Sequence, residues 1–230
     1  MNIAVIPARG GSKRIPRKNI KAFSGKPMIA YAITAAKNSG LFDHVLVSTD
    51  DAEIAAIANE WGAETPFVRP AELANDFTAT VPVVAHAIQA CEALGWNFDN
   101  VCCIYPGVPL IEFEDLQGAF RHLEAGRADY CFPVAEFPSA VQRALKQNSD
   151  GVMQPFYPEF ELARSQDLEP AYYDAGQFYW GKKKAWLSNP RIHSNGAGYV
   201  IPSWRVIDID TPADWDRAEL LAMAIKSRRY

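Results

Sequence analysis

Asn2-Ile3-Ala4-Val5-Ile6-Pro7-Ala8-Arg9-Gly10-Gly11-Ser12-Lys13-Arg14-Ile15-Pro16-Arg17-Lys18-Asn19 joins two unlike halves. Asn2–Pro7 is a short, nearly continuous apolar run, the pattern of a strand covered on both faces. The half from Ala8 to Asn19 is rich in glycine and cations. Glycine lets a backbone approach phosphate oxygens and adopt positive φ, while Arg and Lys neutralise charge. The loop is not a P-loop, because no Gly-Lys-Ser/Thr stands at the required spacing, and the dinucleotide fingerprint Gly-x-Gly-x-x-Gly is also absent. Phosphate binding would therefore rest on side chains and loop amides together. The bland alternative is a solvated basic turn.

Outward from this stretch, short β runs alternate with helical ones. Pro27 suits the first turn of a helix running to Ser39 and closed by Gly40. Val45–Ser48 reads as a strand, and Asp50 as the cap of a helix carrying Ile54, Ile57, Ala58 and Trp61 on one face until Gly62. Glu64–Val68 reads as a short strand, 78–94 as helix, Asn100–Tyr105 as strand, Glu114–Glu124 as helix and Asp129–Val134 as strand. Strands separated by helices of this length pair in parallel, with helices on both sheet faces. The expected class is α/β, a Rossmann-like, mostly parallel sheet in a single domain over 1–230. Ligands then bind beyond the carboxyl ends of the strands, so the loops after Ile6, Ser48 and Tyr105 are where chemistry belongs.

From 136 to 174 the rhythm breaks. Pro138, Pro155, Phe156, Tyr157, Pro158 and Phe160 crowd a stretch with no helical period, which suits a lid or a subunit contact. The βα rhythm resumes near Gly176. The last helix is well signalled: Thr211 as cap, Pro212 at the first position, Asp214 closing a capping box, and Trp215, Ala218, Leu221 and Ala222 facing inward.

Composition narrows the partners. The net charge is −4, yet Arg9, Lys13, Arg14, Arg17, Lys18, Lys21 and Lys26 cluster at the start. A cationic loop in an anionic protein suits a small polyanion better than a nucleic acid or a membrane. No run approaches the roughly 20 apolar residues that span a bilayer. The four cysteines, Cys91, Cys102, Cys103 and Cys131, lack zinc-site spacing and read as buried thiols in a reducing cytoplasm. His44, His86, His122 and His193 suggest no nucleophilic triad.

Three further stretches bear chemistry. In Val206-Ile207-Asp208-Ile209-Asp210-Thr211, a strand would turn Asp208 and Asp210 to one side, a hard-oxygen pair suited to Mg²⁺. The alternative for Asp210 is helix initiation. In the stretch from Arg69 to Thr80, an arginine and small hydroxyls before a helix suit a base and ribose edge, or merely a capped helix start. Arg143, Arg164 and Gln166 stand among aromatics where a guanidinium would grip a carboxylate, or form surface ion pairs.

Together these strings resemble the CMP-sialic acid synthetase family over essentially the whole chain. The resemblance rests on I-P-A-R-G-G-S-K-R-I-P-R-K-N-I at 6–20, V-S-T-D-D at 47–51, R-P-A-E-L at 69–73, C-C-I-Y-P at 102–106 and D-I-D-T-P at 208–212. R-S-Q-D-L-E at 164–169 and D-A-G-Q-F-Y-W-G at 174–181 point to the branch that activates pseudaminic acid. It implies a nucleotide-diphospho-sugar transferase fold and a reaction of CTP with a free nonulosonic acid. By similarity, Ala8, Arg9, Gly10, Gly11, Lys13, Lys18 and Asn19 contact CTP, with Lys18 on the phosphates and Arg69 and Thr80 on the nucleoside. Asp208 and Asp210 would bind Mg²⁺, with Mn²⁺ as a substitute; with Lys18 and Arg9 they form the catalytic set. Tyr105, Arg143, Arg164 and Gln177 would line the sugar pocket. A homodimer is implied, the excursion at 136–174 reaching the neighbouring subunit. Two departures stand out: Gly107, where the family pattern has a hydroxyl residue, and Tyr173-Asp174, where neuraminate-activating relatives have an arginine before an Asn-Gly turn. Competing expectations are activation of N-acetylneuraminic, legionaminic or 3-deoxy-octulosonic acid, a catalytically inactive sugar-nucleotide-binding regulator, and a nucleotide hydrolase.

Overall fold

The computed structural model describes residues 1–228. Strand β1 (Asn2–Pro7) lies inside the sheet because both its faces are apolar: Ala4 and Ile6 enter one buried cluster, Ile3 and Val5 the other. The same alternation holds in β5 (Asn100–Ile104), where Cys102 and Cys103 face opposite layers. After β1 the chain makes a small antiparallel pair, β2 (Ala22–Phe23) with β3 (Lys26–Pro27), and enters α1 (Met28–Ser39), which Gly40 ends at φ 65°. Next come β4 (His44–Ser48), α2 (Ala52–Glu60) and α3 (Thr80–Ala93), then β5 and α4 (Phe113–Ala125). β6 (Tyr130–Glu136) leads into the excursion. Past it come β9 (Tyr172–Asp174), β10 (Phe178–Lys182), α5 (Lys183–Ser188), β11 (Gly196–Val200) and α6 (Pro212–Arg228).

The strand order is β11-β6-β10-β5-β1-β4, with β9 added beside β6. β1 pairs in parallel with β4 and β5, and β11 with β6, whereas β10 runs against both β5 and β6. The reversal puts the start of β10 at the same sheet edge as the ends of β1 and β5. α1, α2 and α4 pack on one face and α3 and α5 on the other. A third apolar cluster, at the edge, joins α6 to the first loop through Ile15, Phe23, Met28, Ile209 and Trp215.

Four local expectations need correction. Asp51, not Asp50, caps α2, accepting the Glu53 and Ile54 N–H groups. The run 64–68 forms one bridge, Glu64 to Leu46, because Pro66 has no N–H to continue a ladder. The 206–210 run pairs with no strand; it nonetheless alternates, with Ile209 buried between Asp208 and Asp210. The excursion carries a hairpin, β7 (Leu145–Gln147) with β8 (Met153–Pro155), among short 3₁₀ turns.

Candidate active site

A cleft of about 790 Å³ opens at the carboxyl ends of β1 and β5, where the strand order switches direction. The loop after β1 forms one wall. Its course is fixed from below: Ala8 is buried and donates to the Ser48 carbonyl (2.9 Å), and Gly10 donates to Asp50 Oδ1 (3.0 Å). Asn19, 6% exposed, donates its amide to the Arg9 carbonyl (3.0 Å). Only glycine fits at 10, since a Cβ there would stand 2.6 Å from Asp51 Oδ2, whereas Gly11 has no neighbour that a Cβ would meet.

The loop's cations divide by role. Arg9, Lys13, Arg14 and Lys18 line the cleft. Arg17, at φ 55°, turns away onto Asp51 and Glu53, both at 2.5 Å. Lys21 lies 4.5 Å over the Trp215 ring and Lys26 5.6 Å over Trp61. Carboxylates from other elements meet the four that remain. Asp76 spans Arg9 (2.8 Å) and Lys13 (2.6 Å), and these cations, Lys13 first, hold its carboxyl below the usual range. Asp210 meets Arg14 at 2.8 Å and Lys18 at 3.6 Å. Shared burial accompanies this second meeting: Ile15 and Ile209 both belong to the edge cluster. Burying such a side chain is worth roughly 1.5–3 kcal/mol, and here it fixes Asp208 and Asp210 toward the cleft.

Asp208 and Asp210 both line the cleft, and no ion pair holds Asp208 among the described residues. No cluster of three or more metal-binding side chains occurs among the described residues. A two-carboxylate donor set nonetheless fits Mg²⁺, which takes one or two carboxylates and completes its shell from phosphate oxygens and water.

On the opposite wall Arg69, 4% exposed, is locked to the Ser48 side chain and carbonyl, and burial brings its pKa down to about 10. Thr80 Oγ1 and the Tyr105 hydroxyl lie 2.7 Å apart, and burial raises the Tyr105 pKa. Gly107 passes under Lys18, where a Cβ would stand 3.2 Å from Cε. At the far end Asp174 lines the cleft and accepts from the Gly176 N–H and the Tyr179 hydroxyl, both at 2.8 Å; His193 Nε2 lies 2.7 Å from it. The remaining anticipated sugar-pocket residues stand elsewhere. Arg143 and Arg164 are exposed on the excursion, contacting Ser165 and Asp167, and neither lines the cleft. Gln177 is buried behind the wall, donating to the Arg205 carbonyl (3.0 Å).

A family model described as cytidylyltransferase matches residues 3–179. The chain belongs to this cytidylyltransferase family. It is 42% identical to a pseudaminic acid cytidylyltransferase of Campylobacter jejuni over 221 residues, covering 96% of this chain and 95% of the relative. It is 30% identical to a CMP-N,N′-diacetyllegionaminic acid synthase of Legionella pneumophila, covering 95% of each chain. Its fold matches a solved CMP:2-keto-3-deoxy-manno-octonic acid synthetase complexed with CTP at a TM-score of 0.71 and 16% identity, covering 97% of this chain and 98% of that one.

The family model ends at residue 179, short of Asp208 and Asp210. Several features of the cleft are not marked out by sequence: the pairing of Arg14 with Asp210, the meeting of Asp76 with the first loop, and His193 behind Asp174, which the sequence marks only as a departure from the family pattern. Asp76 lies inside the 69–80 stretch beside a second acid, Glu72, and residue type does not tell which of the two meets the basic loop. His193 carries none, since it reaches Asp174 across 19 residues.

Proposed function

We propose that the chain transfers cytidine monophosphate from CTP to the anomeric hydroxyl of a nonulosonic acid, pseudaminic acid in the first place. The observation that carries the substrate is the 42% identity with the Campylobacter enzyme over nearly the full length; the cleft supplies a physical account of the reaction. The sugar oxygen attacks the α-phosphorus, the P–O bond to the β-phosphate breaks, pyrophosphate leaves and the hydroxyl proton is released. Such transfers demand alignment and charge neutralisation more than covalent help. Arg9, Lys13, Arg14 and Lys18 would give up their carboxylate partners to the triphosphate and stabilise charge gathering on the leaving group. Arg69 and Thr80 would meet the nucleoside, and Tyr105 and Asp174 the sugar.

Asp208 and Asp210 would hold Mg²⁺ or Mn²⁺, which when bound would draw charge from the phosphate oxygens and polarise the attacking hydroxyl. A homodimer gives the excursion a purpose: Arg143 and Arg164 stand outside their own cleft's lining, and a second copy would bring them to a neighbouring one. The described helices include none long and apolar enough to cross a membrane, in keeping with a cytoplasmic enzyme fed by cytosolic CTP.

Pyrophosphate release from CTP and Mg²⁺, measured with free pseudaminic, legionaminic, N-acetylneuraminic and 3-deoxy-octulosonic acids, tests the reading. Release is expected with pseudaminic acid, falling at least about 100-fold in Asp208→Ala and Asp210→Ala. Release with another acid alone would overturn the substrate. Binding of CTP without release for any acid would favour a regulator, and phosphate release without sugar a hydrolase.

A further inference from the structure

Arg205 is a buried cation that does not line the cleft. Its guanidinium grips Asp115, near the start of α4, with two prongs, one at 3.2 Å, and Glu112 lies 4.0 Å away. Arg205 and Asp115 are each 6% exposed. The Arg205 carbonyl accepts the Gln177 amide at 3.0 Å, and the Gln177 carbonyl accepts the Tyr105 N–H at 2.9 Å. Gln177 is itself 4% exposed, and its Oε1 has no partner. A buried ion pair is a poor source of stability, because desolvation offsets most of the attraction. Its place along the chain suggests another use. Residues 206–210 pair with no strand, so no ladder fixes the carboxylates. They are held instead by Arg205 before them, by Ile207 and Ile209 at the edge cluster, by Arg14 and Lys18 on Asp210, and by the Thr211–Asp214 capping box after them.

We propose that Arg205, anchored by Asp115 and Gln177, is a positioning residue that sets where Asp208 and Asp210 present their oxygens to a divalent ion. The inference rests on the reading of those two carboxylates as metal ligands. It also gives Gln177 a role, tying the carboxylate segment to the loop after β5 rather than contacting sugar.

Two variants test it: Gln177→Met, and Arg205→Met with Asp115→Leu, which removes both charges and leaves neither buried alone. Mn²⁺ binding to the nucleotide-free protein would be followed by electron paramagnetic resonance, and CTP binding by calorimetry in EDTA. Supporting groups behind metal ligands typically govern affinity by about 10–100-fold. The double variant should weaken Mn²⁺ binding about tenfold and Gln177→Met about threefold. CTP affinity in EDTA should stay within about twofold, and kcat should fall with KM for CTP unchanged. Unchanged Mn²⁺ affinity in both variants would overturn the proposal, as would CTP and Mn²⁺ affinity falling together, the mark of a general structural role. If the double variant does not fold, Gln177→Met alone decides. A wild-type protein that binds Mn²⁺ with this variant pattern, yet releases no pyrophosphate with any sugar acid, would sink the proposed reaction and leave the positioning role standing.

Discussion

Lys18 and Gly107 show how much a single residue's surroundings decide. By the resemblance, Gly107 takes the place of a hydroxyl residue in the family pattern. The structure supplies a reason, because the glycine leaves room for the Lys18 side chain to cross it and reach Asp210. In Gly107→Ser the new Cβ would stand 3.2 Å from Lys18 Cε, so the end of the lysine side chain must give by a few tenths of an ångström, away from its present line to Asp210. KM for CTP should rise about fivefold, roughly 1 kcal/mol, with the unfolding midpoint unchanged. Steady-state kinetics on Gly107→Ser and Gly107→Ala check this; an unchanged KM in both would show that Lys18 does not need that space. The split of the basic cluster belongs to the same scale. All seven cations are visible in the sequence, but an irregular loop has no period, so spacing gives no means of telling Lys18, in the cleft, from Arg17, clamped to α2.

At the scale of elements, α2 is tied to the first loop by one side chain. Asp51 accepts two N–H groups at the head of the helix and pairs with Arg17, which sits at a left-handed φ. Those bonds, Arg17's foremost and the backbone N–H groups after it, lower its pKa from the ordinary 3.8 to about 2. The folded state thus prefers the ionised form. The stabilisation is fully present above about pH 4 and is lost as pH falls through about 2. Asp51→Asn keeps a competent cap but loses the charge that Arg17 pairs with, and should be less stable at neutral pH by up to about 1 kcal/mol. Its denaturant midpoint should also vary less than the wild type's as pH falls from about 4 to about 2. Parallel midpoint-against-pH curves would refute the assignment. Asp50 and Asp51 are alike in type, so sequence does not distinguish the cap from its neighbour; geometry separates them, sending Asp50 to the Gly10 N–H. Likewise the 206–210 run is legible as an alternating extended segment but not as an unpaired one, since alternation reports burial on one side and says nothing of a ladder.

For the whole molecule the excursion is the open surface. Leu162 is 96% exposed, and Leu145, Met153 and Phe156 are each more than half exposed. Apolar side chains gathered on one irregular segment fit an interface with a second copy. Sedimentation should show a dimer at micromolar concentration, and Leu162→Asp with Phe156→Asp should weaken it at least about tenfold, with Arg143→Ala raising KM for the sugar rather than for CTP. A wild-type monomer with full activity would remove Arg143 and Arg164 from the sugar site.

By itself the sequence determined the alternation of strands and helices, because apolar periodicity and helix punctuation act within a few residues of each other. It also determined the chemical character of the first loop and of the carboxylate pair, because residue type dictates charge and donor chemistry wherever the chain runs. Only the tertiary structure decided the antiparallel course of β10, the meeting of Arg14 and Lys18 with Asp210, and the anchoring of that segment by Arg205. The anchoring joins residues 90 positions apart, and at such separations burial of side chains such as Ile15 and Ile209 selects the partners while no local pattern records the choice.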